Sequence, residues 1–208
     1  MCFILNSRPI RSTCAQVLRA VAAAVLCTQC LCITKPTGSE DCRVFFAGMR
    51  HIESKGSSCM LGSSSPAARD DERPAMQVYF SYDYWIDTAE VTLALYRELT
   101  GRSPSPATET SSLLPVRNVS WYDAILFCNE RSKRDGLDTV YRYSAKNIAA
   151  GGSVSCLEGF DCDLSASGYR LPTEAEWVYA ARGNSSDEFV WGDEGDDSLF
   201  GTYAWHAG

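Results

Sequence analysis

The chain has 208 residues, 45% of them hydrophobic, 11% aromatic and 22% charged. That composition fits one globular domain with room for a small appendage, and it excludes disorder, collagen and a long coiled coil. The formal net charge is −7, and the first forty residues hold four basic residues and one acid, which leaves fifteen basic against twenty-five acidic side chains in the remainder. A body this acidic is repelled by a phosphate backbone, so nucleic acid is not an expected partner.

The N-terminal segment has its own character. Residues 20–33 carry no charge, are interrupted only by Thr28 and Gln29, and follow Arg8, Arg11 and Arg19 with no acid before them. A basic flank before a short apolar core is an export-signal pattern. The run is also shorter than the roughly 20 apolar residues of a bilayer span. Residues 1–40 are therefore expected to be a signal peptide or membrane-targeting segment plus a short linker, and the protein to be exported to the periplasm, cell surface or medium. The apolar run is not followed by an A-x-A cleavage site, which leaves a lipid anchor or an uncleaved membrane anchor open. Six of the ten cysteines lie in the first forty-two residues. Cys27 and Cys30 form a CxxC inside the apolar run, with no second ligand pair and no histidine nearby, so a zinc site is not expected.

Residues 41–208 form the expected domain. The Ser/Pro/Thr-rich stretches 62–68 and 103–112 are loops. Between them, 76–86 predicts one strand, with Met76, Val78 and Phe80 on one side before the aromatic run Tyr82, Tyr84, Trp85. Three short helices have clear start signals. The first begins at Thr92, with a Val91–Tyr96 staple, and stops at Gly101. The second begins at Ser120, with Asp123 in the capping-box position, and Trp121, Ala124, Ile125 and Cys128 form its apolar stripe before a stop at Gly136. The third begins at Thr173, with Glu176 completing a capping box, Trp177, Ala180 and Ala181 as its apolar face, and Gly183 as its stop. Short helices, few strands and long aromatic-rich loops indicate an α+β architecture.

Several segments fall in a recognisable order: KGSSCMLGS at 55–63, ERP at 72–74, WIDTAEVTLALY at 85–96, PVRNVSWYDAILFCN at 115–129, GYRLPTEAEWVYAARG at 168–183 and VWGD at 190–193. Together they resemble the formylglycine-generating enzyme (sulfatase-modifying factor) family from about residue 45 onward. The resemblance implies that family's loop-rich variant of the C-type-lectin-like fold, incomplete at the C-terminus. It also implies, for a complete domain, a copper-dependent oxidoreductase that converts a cysteine of a sulfatase to formylglycine. The family's copper-binding cysteine pair would follow residues 203–208, so no catalytic cysteine carries over and this segment is expected to be inactive. Structural calcium is likewise expected only in a complete domain.

The family-motif residues have a structural reading. Glu174 and Glu176 are two apart and do not share a helix face. Glu176 serves its cap rather than acid–base chemistry. Glu90 and Arg170 lie in apolar surroundings and are expected to be buried and paired. Ser120, Trp121, Asp123, Thr173 and Trp177 are expected to build the helix starts and the core. Cys128 and Cys59 are expected as buried small hydrophobes rather than nucleophiles. Asp193, Glu194, Asp196 and Asp197 lack EF-hand spacing and are expected to be a solvated loop. An insert between Gly136 and Gly168 carries Cys156 and Cys162 around Gly159, expected to form a local disulfide in an exported protein. Asn118–Ser120 and Asn184–Ser186 match N-x-S. Two functions follow: a formylglycine-generating protein acting on a sulfatase or other protein substrate, or a non-catalytic exported module of the same fold that binds a ligand or carbohydrate.

Overall fold

The computed structural model describes residues 4–6, 48–66, 68–104, 111–183 and 185. The candidate export segment, the acidic run 193–197 and the VWGD motif lie outside the described residues. Among the described residues the strands are β1 (Ile4–Asn6), β2 (Met49–Ile52), β3 (Ser58–Leu61), β4 (Met76–Tyr79), β5 (Tyr84–Asp87), β6 (Tyr141–Arg142), β7 (Ala145–Ile148), β8 (Val154–Glu158), β9 (Asp161–Cys162) and β10 (Tyr169–Arg170). The α-helices there are α1 (Leu93–Thr100), α2 (Trp121–Arg134) and α3 (Glu174–Arg182). The central sheet has the order β10-β1-β5-β2, and β3–β4, β6–β9 and β7–β8 form three two-stranded ribbons. All pairings are antiparallel.

The helix starts sit where the capping residues place them. Thr92, Ser120 and Thr173 are the N-caps, each accepting a hydrogen bond from the backbone N–H three residues on, and Ser120/Asp123 and Thr173/Glu176 form full capping boxes. Val91 and Tyr96 are both buried, as the staple requires. Gly101 ends α1 at φ +70°, a backbone region that L side chains avoid.

Strand 76–86 is corrected. The chain bends at 81–83, so β4 pairs with β3 in a ribbon while β5 enters the central sheet. Alternation then restarts, and Met76 is 52% exposed. Within β5, Tyr84 and Ile86 pack with Phe80 and Ala175 under α3, while Trp85 packs on the larger core beneath α1 and α2. One strand thus separates two apolar clusters, as period-two side-chain alternation dictates.

The 136–168 insert is not a loop around a disulfide. It folds into β6–β9 and β7–β8, and it contributes Val140, Tyr141, Val154 and Leu157 to the larger core. Cys156 lies opposite Asn147 in one ribbon and Cys162 opposite Tyr141 in the other, and both thiols are free and exposed. Gly168 seats this insert against α2: a Cβ there would meet the Asp138 carbonyl oxygen at 2.1 Å and Ser132 Oγ at 2.6 Å. The glycine that opens the GYRLPTEAEW motif is therefore required by close approach.

Residue-resolved alkylation of the native, non-reduced protein checks this arrangement. Cys156 and Cys162 are expected to label, while Cys128, fully buried, labels only on unfolding. A peptide map with Cys156 joined to Cys162 would contradict it.

Candidate functional site

The motif residues converge on two buried carboxylates. Glu176 is fully buried at the start of α3. Arg170 of β10 grips it as a fork, Nη1 to Oε2 at 2.8 Å and Nη2 to Oε1 at 2.5 Å. The Tyr82 hydroxyl donates to Oε1 at 2.8 Å, the Thr173 N–H to Oε2 at 2.7 Å, and the Tyr84 hydroxyl to the Glu176 carbonyl at 2.6 Å. Burial by itself would raise the Glu176 carboxyl, but the hydrogen bonds and charge of Arg170 with the Thr173 N–H outweigh it and hold it below the ordinary range. Burial, and then Glu176 itself, push the Tyr82 hydroxyl up.

Asp123 is the second hub, 2% exposed at the start of α2. Arg102 donates to its Oδ1 at 2.5 Å, the Val154 N–H to Oδ1 at 3.1 Å, the Ser120 hydroxyl to Oδ2 at 3.0 Å, and the Ser153 hydroxyl makes a short bond to Oδ2. Burial raises this carboxyl, and the bonds from Ser153, Val154, Arg102 and Ser120 override it, leaving it at about 2. The hub therefore ties α2 to the strand of the insert and to the end of α1. A third pair joins β5 to α2: Arg131 binds Asp87 at 2.7 and 2.9 Å, and its guanidinium lies 4.2 Å over the Tyr169 ring.

These groups are spent on the fold. Glu176 and Asp123 are held ionised and ringed with donors, so neither is poised to move a proton at neutral pH. The thiols are similar. Burial lifts Cys128 well above its ordinary value, and burial also raises Cys59 and Cys162. A thiol kept protonated is a poor nucleophile and a poor metal ligand. Among the described residues, no group of three or more His, Cys, Asp or Glu side chains could hold a metal ion. No described helix is long and apolar enough to cross a membrane.

Three expectations are corrected here. Glu90 is only half-buried, and no ion pair to it is seen among the described residues. Trp121 is 52% exposed, because the first helical position projects past the core that Ala124, Ile125 and Cys128 enter. Trp177 is 48% exposed, and α3 instead buries Ala175 and Glu176 with Tyr179 and Ala180 packed beside them. Spacing did not reveal Tyr82, Arg102 or Ser153. They reach their carboxylates across 94, 21 and 30 residues of chain.

What the surface offers is aromatic. The Trp121 ring meets Tyr122 and Phe160 edge-on at 5.4 and 5.5 Å, and Phe160 stacks on Tyr141 at 6.0 Å. Phe160 remains 40% exposed and Leu164 61%. Other exposed apolar side chains are Trp177 on α3 and Met60, Met76 and Tyr79 on the β3–β4 ribbon, the last 73% exposed. Between that ribbon and the C-terminal end of α3 lies an open cleft of about 410 Å³ lined by Ser58, Cys59, Met60, Gln77, Tyr179 and Arg182.

Residues 47–206 match the model of the sulfatase-modifying factor enzyme 1-like domain. The chain belongs to this family. It is 33% identical to the chaperone protein LppX of Paenibacillus barcinonensis over 60% of this chain and 50% of that protein. A shorter stretch of 27 residues is 63% identical to the formylglycine-generating enzyme of Mycobacterium tuberculosis (strain ATCC 25618 / H37Rv), covering 13% of this chain and 9% of that enzyme. Among solved structures, Treponema denticola variable protein 1 is similar at a TM-score of 0.53 and 28% identity, over 76% of this chain and 60% of that one. The chain thus spans half the length of its LppX relative.

Proposed function

We propose that this sulfatase-modifying-factor-type chain binds polypeptide and performs no chemistry of its own. The observation that carries the reading is the division of labour among its side chains. Glu176, Asp123, Arg170 and Arg102 are consumed by internal bonds, whereas Trp121, Phe160 and Trp177 offer aromatic area to solvent. Exposed tryptophan and tyrosine are the side chains that dominate protein-recognition energetics. The likeness to a chaperone protein supports a partner that is itself a polypeptide. The partner class is an extended or unfolded segment with apolar side chains. In this reading the protein works after export, is tethered if at all through residues 1–40, and has the C-type-lectin-like arrangement of its family.

The 27-residue likeness to a formylglycine-generating enzyme favours a second reading. There the intact protein oxidises a sulfatase cysteine with copper and oxygen, and the residues described here support a catalytic cysteine pair placed elsewhere. One experiment separates the two. The 208-residue chain is titrated with a sulfatase-motif peptide whose cysteine is free, in the presence of copper and oxygen. Tryptophan fluorescence should change saturably, Trp121→Ala should weaken binding about thirtyfold, a hot-spot-sized loss of about 2 kcal/mol, and the peptide mass should not change. Appearance of the aldehyde by mass spectrometry would replace the first reading with the second. A peptide that neither binds nor reacts would sink the first.

A further inference from the structure

Trp121, Tyr122 and Phe160 form a corner rather than a stack. The Trp121 ring meets its two neighbours at 78° and 66°. Rings packed edge to face leave faces open, and an aromatic face carries the negative part of the ring's quadrupole. Trp121 and Phe160 both remain exposed. The corner is also held in place from beneath. Trp121 is the first residue of α2, whose start is fixed by the Ser120/Asp123 capping box. Phe160 rests on Tyr141, a buried ring whose hydroxyl accepts from the Leu171 N–H at 3.0 Å. A site built this way loses little freedom when it is occupied.

The charge around the corner is one-sided. Asp161 follows Phe160 directly and Glu158 precedes it by two residues, and both are exposed. Consecutive Cα atoms are about 3.8 Å apart, so both residues are anchored within about a screening length of the Phe160 backbone, roughly 8 Å at physiological salt. Among the described residues neither has an ion-pair partner. Arg142 lies opposite Asp161 in the β6–β9 ribbon but gives its guanidinium to Asp163 at 2.6 Å. Glu158 accepts from the Asn147 amide, a neutral donor, at 3.2 Å. Lys146 lies opposite Leu157, which puts it on the other face of the β7–β8 ribbon from Glu158. Arg102 is spent on Asp123, and Arg117 is not free either. Electron-rich ring faces and two uncompensated carboxylates call for the same ligand chemistry, a cation on an apolar stem.

We propose that the Trp121–Tyr122–Phe160 corner receives a lysine or arginine side chain of the polypeptide partner, which is therefore basic as well as apolar. The proposal rests on the polypeptide-binding reading above and names the side chain that the partner places here. Its aliphatic stem lies across the rings, and its charged head gains from a ring face and from the nearby Asp161 and Glu158. A neutral side chain of the same length gains only the stem contact, and an acidic one is repelled. The net charge of −7 acts in the same direction at longer range, drawing basic segments to the surface.

Calorimetric titration of the 208-residue chain with a matched pair of peptides tests this. The peptides are ten-residue, otherwise uncharged and apolar, and differ at one central position, lysine in one and glutamine in the other. The lysine peptide should bind about tenfold tighter. Asp161→Asn should narrow that margin to about threefold, and Trp121→Leu, at an exposed position, should remove most of it. Tetramethylammonium chloride should compete with the lysine peptide better than sodium chloride at equal ionic strength, because it fills the corner as well as screening it. Equal affinity for the two peptides in the unaltered chain would overturn the proposal and leave polypeptide binding standing. If neither peptide binds, both readings fall together. A margin untouched by Trp121→Leu, or equal competition by the two salts, would reduce the preference to general charge attraction and remove the rings from it.

Discussion

Replacing Glu176 with alanine is expected to destabilise the fold by about 3–5 kcal/mol, the loss that follows when one member of a buried ion pair is removed. Arg170, with 5% of its side chain exposed, would be left charged in an apolar surround. Tyr82 would lose its acceptor and α3 its capping box, because one carboxylate serves Arg170, Tyr82 and Thr173 at once. Typical domains have only about 5–15 kcal/mol to lose. Chemical denaturation of wild type and Glu176→Ala measures the difference through the midpoint at unchanged slope. Tyr82→Phe is the graded control, expected to cost about 1 kcal/mol because it deletes one hydrogen bond and leaves the ion pair. A loss below about 1 kcal/mol for Glu176→Ala would mean that the Arg170–Glu176 pair does not hold β10 to α3.

Acid should weaken the protein through Asp123, and the sign follows from its environment. Its carboxyl lies at about 2 in the folded state against an ordinary 3.8. A depressed folded value means the contribution is fully present above pH 4 and is lost as pH falls from about 4 towards 2. That depression corresponds to about 2 kcal/mol of stability. Asp123→Asn should remove that part of the acid limb and lower stability at neutral pH, since Arg102 and the capping box keep only a neutral partner. Glu176 and Asp135 are depressed as well, so wild type retains a steeper acid limb than any single variant. The test is the difference between wild type and Asp123→Asn across pH 2–7: parallel curves would refute the role assigned to Asp123.

Local chemistry explains why parts of this fold were legible in the sequence. A cap and its third residue are neighbours, so Ser120/Asp123 and Thr173/Glu176 declare helix starts without knowledge of the rest of the chain. Motif order declared the family for the same reason, since GYRLPTEAEW carries a close-approach glycine, a buried arginine and a capping box within ten residues. Burial is decided by what lies opposite and was less legible. Trp121 and Trp177 satisfy helical spacing, yet both project past the elements that cover their neighbours. The strand expected over 76–86 failed at a bend where Tyr82 turns towards Glu176, a partner 94 residues on. The insert was opaque for a related reason. Val154 and Leu157 read as two apolar residues in a Ser- and Gly-rich stretch until Asp123 of α2 accepts the Val154 N–H and fixes the strand against the core.

The β1 register also bears on the order in which the protein is made. Ile4 meets Arg170, while the β3–β4 ribbon joins residues no further apart than Ser58 and Tyr79. Ribbons and helices can form as they leave the ribosome, which at about 5–20 residues per second precedes the last sheet strand by many seconds. The N-terminal strand has no β10 to pair with until that point, and contacts of such long range close slowly. Ile4–Asn6 is thus without its β10 neighbour for most of synthesis, and the central sheet is among the last parts of the fold to close.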